Sequence, residues 1–533
     1  MTPQSPILDS SSPKSFRPVL LLFIIALALT WLFLSGSGAL TSDLGGDPDE
    51  AAHAVTSLMI RDYLAEAPGH HPMQFAKTYY DHFPRVALGH YPPLYYLIAG
   101  PLLMPKVSIQ VLFLLQALTL AGLAALTMVI GRRLMPDPLA AVAGLGVIAL
   151  PVALKLVQHV MSDLMLALLC LWAAIEWANY LRTPTTRRAL WWGLIAAAAI
   201  LTKGSGMGLC LVPPLATVLA GQWRLLLTKS WWCAALPVAV LAGPWMLYST
   251  GISKEGMTQL SPLQYFLEAV PFHLKAMPEV FGWLITLLAL LGIAQGSFLG
   301  WKRRSLSPEV ASLLGLTIGI GCILLLIPVG LSTRYMVTLT PVVMLAAMSG
   351  LGLLPWRSIL GKAALGSVLI IVFVMSKGLP VKEVSGFDSA VKLAGIPAAD
   401  APKQNWLVSS DPRGEGAVIA AAVFALPARA PANLRLYRGG KELSASDWMG
   451  RGYKLAFDTP EALLKHLDER QITWAFVDKS MPEELRRPHD HLLEKALSSQ
   501  PAAWKLVREQ AITRKPGQQG TLLIYQRQTS AVH

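Results

Sequence analysis

Long apolar runs, each near the roughly 20 residues a helix needs to cross a bilayer, recur along the first 380 positions of the chain. Short polar stretches separate them. The pattern predicts about eleven spans, near 18–40, 107–131, 139–155, 163–181, 189–203, 206–221, 231–249, 279–300, 308–331, 335–354 and 359–377. After about residue 380 the runs shorten and charges become frequent. NWLVSS (405–410), ITWAFVD (472–478) and TLLIYQ (521–526) have the character of buried strands. PEALLKHLDE (460–469) and the stretch around 490–499 have that of helices. The expected fold class is a polytopic α-helical membrane domain, 18–379, followed by a small α/β domain, 380–533.

Two stretches between the first and second runs do not fit an ordinary span. PPLYYLIAGPLLM (92–104) is apolar but too short, which predicts an interfacial or re-entrant piece. Residues 49–66 place Ala52, Val55, Leu58 and Met59 at helical spacing among polar residues, which predicts a helix lying along the membrane. The first run is followed by SGSGA (35–39), as a signal peptide would be. Its length and the many runs after it argue for a retained helix.

Composition agrees with a membrane protein. The chain is 53% hydrophobic and 14% charged, with a mean hydropathy of +0.48. A soluble chain carries about a quarter charged residues. The net charge of +13 would suit a nucleic-acid partner if it formed a surface patch. Instead the cations sit in clusters between apolar runs: Lys14 and Arg17; Arg132 and Arg133; Arg182, Arg187 and Arg188; Arg224 and Lys229; Lys302, Arg303 and Arg304; Arg357 and Lys362. These fall on alternate loops, which encodes orientation. The expectation is an integral protein of the bacterial inner membrane, with residues 1–17 cytoplasmic and the loop 41–105 and the C-terminal domain on the outer side. Counting 92–104 as a span would put Arg132 and Arg133 outside, so it is left on the outer side. Cys170, Cys210, Cys233 and Cys322 all lie in apolar runs without metal spacing and read as small buried hydrophobes.

That topology gathers ionisable residues on the outer side. GGDPDEAAH supplies Asp47, Asp49, Glu50 and His53, and the same loop holds His90 and Tyr91. His159 and Asp163 stand at the start of the fourth run, and Lys203 ends the fifth. His273 and Lys275 lie in a later loop, and Arg334 and Tyr335 open the tenth run. Cations such as Lys203 and Arg334 run against the orientation rule there, which favours a functional reading. Asp163 suits either a helix N-terminus or a site, Asp47 a turn, and Asp49 and Glu50 a helix start. His159 and His273 read as surface or packing residues. Carboxylates can take a proton from a hydroxyl, Lys and Arg can hold a phosphate as it leaves, and an apolar cavity can hold a lipid tail. This set suits transfer of a sugar from a lipid-linked phosphate. A divalent metal is left open, since Glu50, His53 and His90 are ligand types without firm ligand spacing.

The sequence resembles the GT-C membrane glycosyltransferases, in the branch of the protein O-mannosyltransferases and the lipid A aminoarabinose transferase. DPDEAAH (47–53), HYPPLYY (90–96), LTKG (201–204) and TRYMVTLTP (333–341) carry the resemblance, with Arg132-Arg133 and the C-terminal domain added. It covers roughly residues 18–380. It implies a polyprenyl-phosphate sugar donor used with inversion, and a lipid, protein or glycan acceptor. Asp49 would be the base or would orient the acceptor, and Asp163 would be a second acidic position. Lys203 and Arg334 would contact the donor phosphate. Glu50, His53, His90, Tyr91 and Tyr335 would line the substrate site. The aminoarabinose enzymes have Glu-Lys before PPLYY where this chain has His90-Tyr91, so the resemblance does not carry that specificity.

Two other classes compete. A transporter or flippase of lipid-linked substrates would show inverted repeats and charges at mid-span depth; no inverted repeat and few such charges are visible. A non-catalytic scaffold would not need Asp49, Lys203 and Arg334 to meet. In the C-terminal domain, SSDPRGEGAVI (409–419) places a Gly-bearing turn between a strand and a helix, either a plain turn or an anion cradle.

Overall fold

The computed structural model describes residues 15–398, 400–426, 433–447 and 450–528. Lys14 and the rest of the predicted cytoplasmic segment up to residue 14 lie outside the described residues. The chain is an integral membrane protein: among the described residues seven helices are long and apolar enough to cross a membrane, or nine if two bent pairs each count as one span.

All eleven apolar runs fall on helical segments. The first half contains α1 (Arg17–Gly36), α2 (Glu50–Glu66), α3 (Pro72–His82), α4 (Leu94–Leu102) and α5 (Ile109–Leu134). It continues with α6 (Asp137–Ala149), α7 (Pro151–Val157), α8 (Asp163–Arg182), α9 (Thr186–Thr202) and α10 (Val212–Leu219). The third run breaks at Leu150–Pro151, so α6 and α7 meet at 53°. Proline cannot continue the backbone ladder there. Further spans follow at Lys229–Glu255, Pro308–Leu326, Thr333–Gly352 and Ile359–Lys377. The run predicted at 279–300 is the second arm of a pair, Pro262–Phe281 and Trp283–Phe298, bent by 109°.

α4 has nine residues and does not span. α2 departs from the expected membrane-surface helix. Its apolar residues Ala52, Val55, Leu58 and Met59 are buried, but so are Glu50, His53, Thr56, Ser57 and Arg61. The reason is that protein covers both sides. α4 packs on one, and the helix Pro412–Ala425 of the C-terminal domain packs on the other. Gly416 permits that approach, since a Cβ there would stand 2.9 Å from Ala51 Cβ and 3.1 Å from Arg85 Nε.

The C-terminal part folds around β1 (Gln404–Ser409), β2 (Leu434–Arg438), β3 (Ser444–Ala445), β4 (Lys454–Leu455), β5 (Ile472–Asp478), β6 (Trp504–Lys515) and β7 (Gln518–Arg527). Five strands form one sheet in the order β2-β1-β5-β7-β6, parallel across β2-β1-β5 and antiparallel across β5-β7-β6. β3 and β4 form a separate pair. Helices Pro460–Glu469 and Pro488–Ser498 flank the sheet. Trp406, Val418 and Ile524 of this domain join the same buried apolar cluster as the spans. The two parts therefore share a core.

The bundle has two unlike ends. α5 runs about 39 Å from Ser108, whose hydroxyl caps it, to Arg132 and Arg133. At that far end Arg133 and Arg182 pair with Glu309, and Arg132 pairs with Asp137. The C-terminal domain covers the other end. Of the four cysteines, Cys170 is buried, Cys233 and Cys322 are partly buried, and Cys210 is exposed on the outside of the bundle.

Candidate active site

The end under the C-terminal domain collects the chemistry. The loop before α2 is tight: Asp47 accepts the Asp49 backbone N–H at 3.0 Å, and Asp49 is the residue that starts α2. Gly46 is required by a close approach, because a Cβ there would lie 2.5 Å from His159 Nε2. α8 begins at Asp163, where a carboxylate meets the positive end of the helix dipole. α9 ends at Lys203, whose extended backbone turns the side chain out of the helix. Arg334 follows Ser332, which caps the turn Thr333–Leu339.

These elements bring seven of the sequence-predicted residues into one network. Arg334 Nη2 donates to Asp49 Oδ2 at 2.8 Å, and its Nη1 lies 3.3 Å from Asp47. The Tyr91 hydroxyl donates to the same Asp49 oxygen at 2.9 Å. Lys203 Nζ donates to Asp163 Oδ1 at 2.7 Å. Tyr335 joins the two pairs: Lys203 lies 4.8 Å and Arg334 5.1 Å from its ring centre. The Tyr91 ring lies 5.7 Å from Lys203. Cations over aromatic faces gain electrostatic attraction without losing their charge.

His53 stands behind this network. Its ring packs edge-on against Tyr91 at 4.6 Å, and its Nδ1 hydrogen-bonds the Tyr96 hydroxyl at 2.8 Å. Burial pushes His53 down to about 4, so the ring is neutral at pH 7. Burial alone would raise the Asp49 carboxyl, but the Arg334 guanidinium, with His53 and Tyr91, holds it at about 2. Burial and the Asp49 charge push the Tyr91 phenol well above its ordinary value, so it acts as a donor.

Three buried polar atoms of this network lack a partner among the described residues: His53 Nε2, Asp163 Oδ2 and Arg334 Nε. Buried polar groups are nearly always satisfied, so orphans gathered in one place mark room for a polar ligand.

One crevice touches the network, and a larger cleft lies nearby on the loop side. On the span side a small crevice is lined by Asp163, Leu166, Ile320, Ile323, Leu324 and Tyr335, mostly apolar. On the loop side a cleft of about 760 Å³ is lined by residues including His71, Lys77, Tyr80, His90, Glu255 and Lys441. His90 therefore lines the cleft, one residue from Tyr91. Burial lowers its pKa.

Glu50 is placed differently again. It is wholly buried, with Lys382 Nζ at 2.5 Å and the backbone N–H groups of Gly46 and Val160 at 3.1 and 3.3 Å. Sequence reasoning passed over Lys382, Arg85 and Tyr96. Lys382 follows the last span on the predicted outer side, and the orientation rule that singled out Lys203 and Arg334 applies to it equally. His159 is partly buried beside Gly46, and its Nδ1 hydrogen-bonds the Lys155 carbonyl at 2.7 Å. His273 is buried in the helix Pro262–Phe281. In SSDPRGEGAVI, the Asp411 side chain accepts the N–H groups of Arg413 and Gly414, so the helix start already has its own anion.

No known sequence family and no curated protein matches the chain. Solved structures do. ArnT from Cupriavidus metallidurans in the apo state aligns over 95% of this chain and 97% of its own, with a TM-score of 0.56 and 13% identity. The apo oligosaccharyltransferase of Archaeoglobus fulgidus aligns over 87% and 70%, with a TM-score of 0.52 and 10% identity. The same enzyme, AglB, in complex with an inhibitory peptide and a dolichol-phosphate aligns over 86% and 69%, with 0.53 and 11%. This is the GT-C fold. At such identities the likeness is one of architecture. The Archaeoglobus enzyme is also known in complex with Zn and sulfate. In the present chain no group of three or more His, Cys, Asp or Glu could hold a metal ion among the described residues. Glu50, His53 and His90 are turned to Lys382, to Tyr96 and to the cleft.

Proposed function

We propose that this chain is a glycosyltransferase that moves a sugar from a polyprenyl-phosphate donor to an acceptor hydroxyl, with inversion. The observation that carries this is the pair of carboxylate–cation contacts, Asp49–Arg334 and Asp163–Lys203, with their orphaned atoms, beside a small, mostly apolar crevice. The lipid chain runs between the spans on the side of the crevice, and the acceptor comes from the side of the cleft. AglB, a neighbour in fold, is known with a dolichol-phosphate, which agrees with a lipid phosphate as ligand.

The resting network implies an order of events. Asp49 held at about 2 is a weak base, because Arg334 neutralises it. A donor phosphate competes for Arg334 and Lys203, and the carboxylates lose those partners. Asp49 then takes the acceptor hydroxyl proton as the oxygen attacks the anomeric carbon. The bond from that carbon to the phosphate oxygen breaks, and its electron pair stays on the phosphate, held by Lys203, Arg334 and the Tyr335 hydroxyl. Tyr91 keeps Asp49 aimed, and Asp163 returns to Lys203 when the lipid phosphate leaves. In this reading residues 18–379 form the catalytic bundle, the N-terminus is cytoplasmic, and the domain 380–533 is extracytoplasmic.

Binding of polyprenyl phosphate to the purified full chain tests the cation roles. Lys203→Ala is expected to weaken it by about 10- to 100-fold, as loss of a charge-assisted contact should. Asp49→Asn is expected to bind at least as tightly as the wild type. Equal binding by Lys203→Ala and wild type would contradict the phosphate site.

A further inference from the structure

Two buried cations outside the charged network grip the loop that carries Asp49, and both reach toward the C-terminal domain. Lys382 comes from the segment that joins the last span to that domain. It is almost fully buried and pairs with Glu50, the neighbour of Asp49. Its backbone is fastened as well: its N–H donates to the Ser37 carbonyl at 2.9 Å, and its carbonyl accepts from Ser42 Oγ at 3.0 Å. The following residues stay on the same loop. Asp43 N–H donates to the Val384 carbonyl at 2.8 Å, and Asp43 Oδ2 accepts from Phe387 N–H at 2.9 Å.

On the other side of Asp49, the buried Arg85 guanidinium donates through Nη2 to the carbonyl of Pro48 and, at 2.8 Å, to the carbonyl of Pro412. Pro412 opens the C-terminal-domain helix that covers α2. Burial lowers Arg85 to about 10, so it remains a cation at pH 7. Pro48 and Glu50 flank Asp49. Pro48 is tied through Arg85 to the docked domain, and Glu50 through Lys382 to the strap that leads into it.

We infer that Lys382 and Arg85 are positioning residues for Asp49, and that the C-terminal domain, through them, is part of the apparatus that holds the catalytic loop in register. The inference rests on the assignment of Asp49 above for its kinetic consequence, but not for its structural one. Asp49 makes its contacts to Arg334 and Tyr91 with one oxygen at 2.8 and 2.9 Å. A shift of the loop by even 1 Å would break them, and misplacement on that scale costs large factors in rate.

The test uses the full chain. In hydrogen–deuterium exchange, Lys382→Met should speed exchange of the peptide spanning 45–53 by about tenfold or more, while peptides from α5 and α8 stay unchanged. In turnover, kcat should fall by about tenfold or more with the donor KM within about twofold, because Lys203 and Arg334 are untouched. Lys382→Arg should restore both readouts, and Arg85→Met should reproduce the loss. The double variant Glu50→Gln with Lys382→Met has no lone buried charge and guards against a failure to fold. It should show the same faster exchange at 45–53. Unchanged exchange there in folded Lys382→Met or in the double variant would overturn the inference. A lowered kcat with a general rise in exchange across the spans would also overturn it, since that is loss of fold. If Asp49→Asn kept full activity, the catalytic assignment would fall, and the exchange result would still decide the clamp.

Discussion

Asp49 and Glu50 are neighbours in sequence, both are carboxylates and both meet a cation, yet their surroundings differ in kind. Glu50 is wholly buried with Lys382, and both its oxygens have partners. Asp49 and Arg334 retain 24% and 20% side-chain exposure, beside orphaned atoms on Arg334, His53 and Asp163. A closed pair can only hold the fold together. A pair that is open and incompletely satisfied can exchange its partners for a ligand. On the proposed function, two adjacent acids divide the work, one fixing the loop and the other free to react.

The strongest way to break this comparison is to neutralise each acid in turn. Asp49→Asn should lower kcat by about 10²- to 10⁴-fold, the usual contribution of a general base, while the protein still folds. Glu50→Gln should show the reverse emphasis. Leaving Lys382 buried without its partner should cost about 3–5 kcal/mol, read as a lower thermal midpoint in detergent. Lys382→Met on the Glu50→Gln background should recover much of that loss, because the lone charge is gone. If Asp49→Asn destabilised the protein more than Glu50→Gln did, the division between the two would be wrong.

The pH dependence of stability sharpens it further. The Asp49 carboxyl moves from 3.8 when unfolded to about 2 in the fold. Its stabilisation is therefore complete above pH 3.8 and is lost as pH falls toward 2. That amounts to on the order of 2 kcal/mol. His53 moves from 6.5 to about 4, and the ring must stay neutral in the fold. Its contribution is present above pH 6.5 and is lost as pH falls through that window, on the order of 3 kcal/mol. Both act in the same direction on acidification. Unfolding midpoints of the wild type and Asp49→Asn, compared from pH 6 down to pH 2, should converge only near pH 2. The smallest effect is expected in the cleft. His90→Ala should raise the acceptor KM by about two- to fivefold with kcat and donor binding unchanged, as loss of one peripheral contact does.

Much of the architecture was legible because hydrophobic runs of span length and strand signatures are local signals. ITWAFVD became β5 and PEALLKHLDE became a helix at the expected residues. The depth of α2 was not legible. Its apolar spacing announced one buried face, while the second is buried by a helix some 360 positions later in the chain. β6 was also invisible, since WKLVREQAITRK carries alternating charges on a long, largely exposed strand. In the site, Lys203 and Arg334 stood out because cations on the predicted outer side run against the orientation rule, and Asp49 and Asp163 through the resemblance. The buried place of Glu50 was not legible, since no local signal says which acid will meet Lys382 across 332 positions.

The most direct measurement of the central claim is transfer by the purified full chain of a radiolabelled sugar from a panel of polyprenyl-phosphate donors, supplied with lipid, peptide and glycan acceptors. The wild type and Asp49→Asn are run side by side. Labelled product from one donor with the wild type, and a loss of about 100-fold or more with folded Asp49→Asn, is the predicted result. Equal product from both proteins would contradict the account.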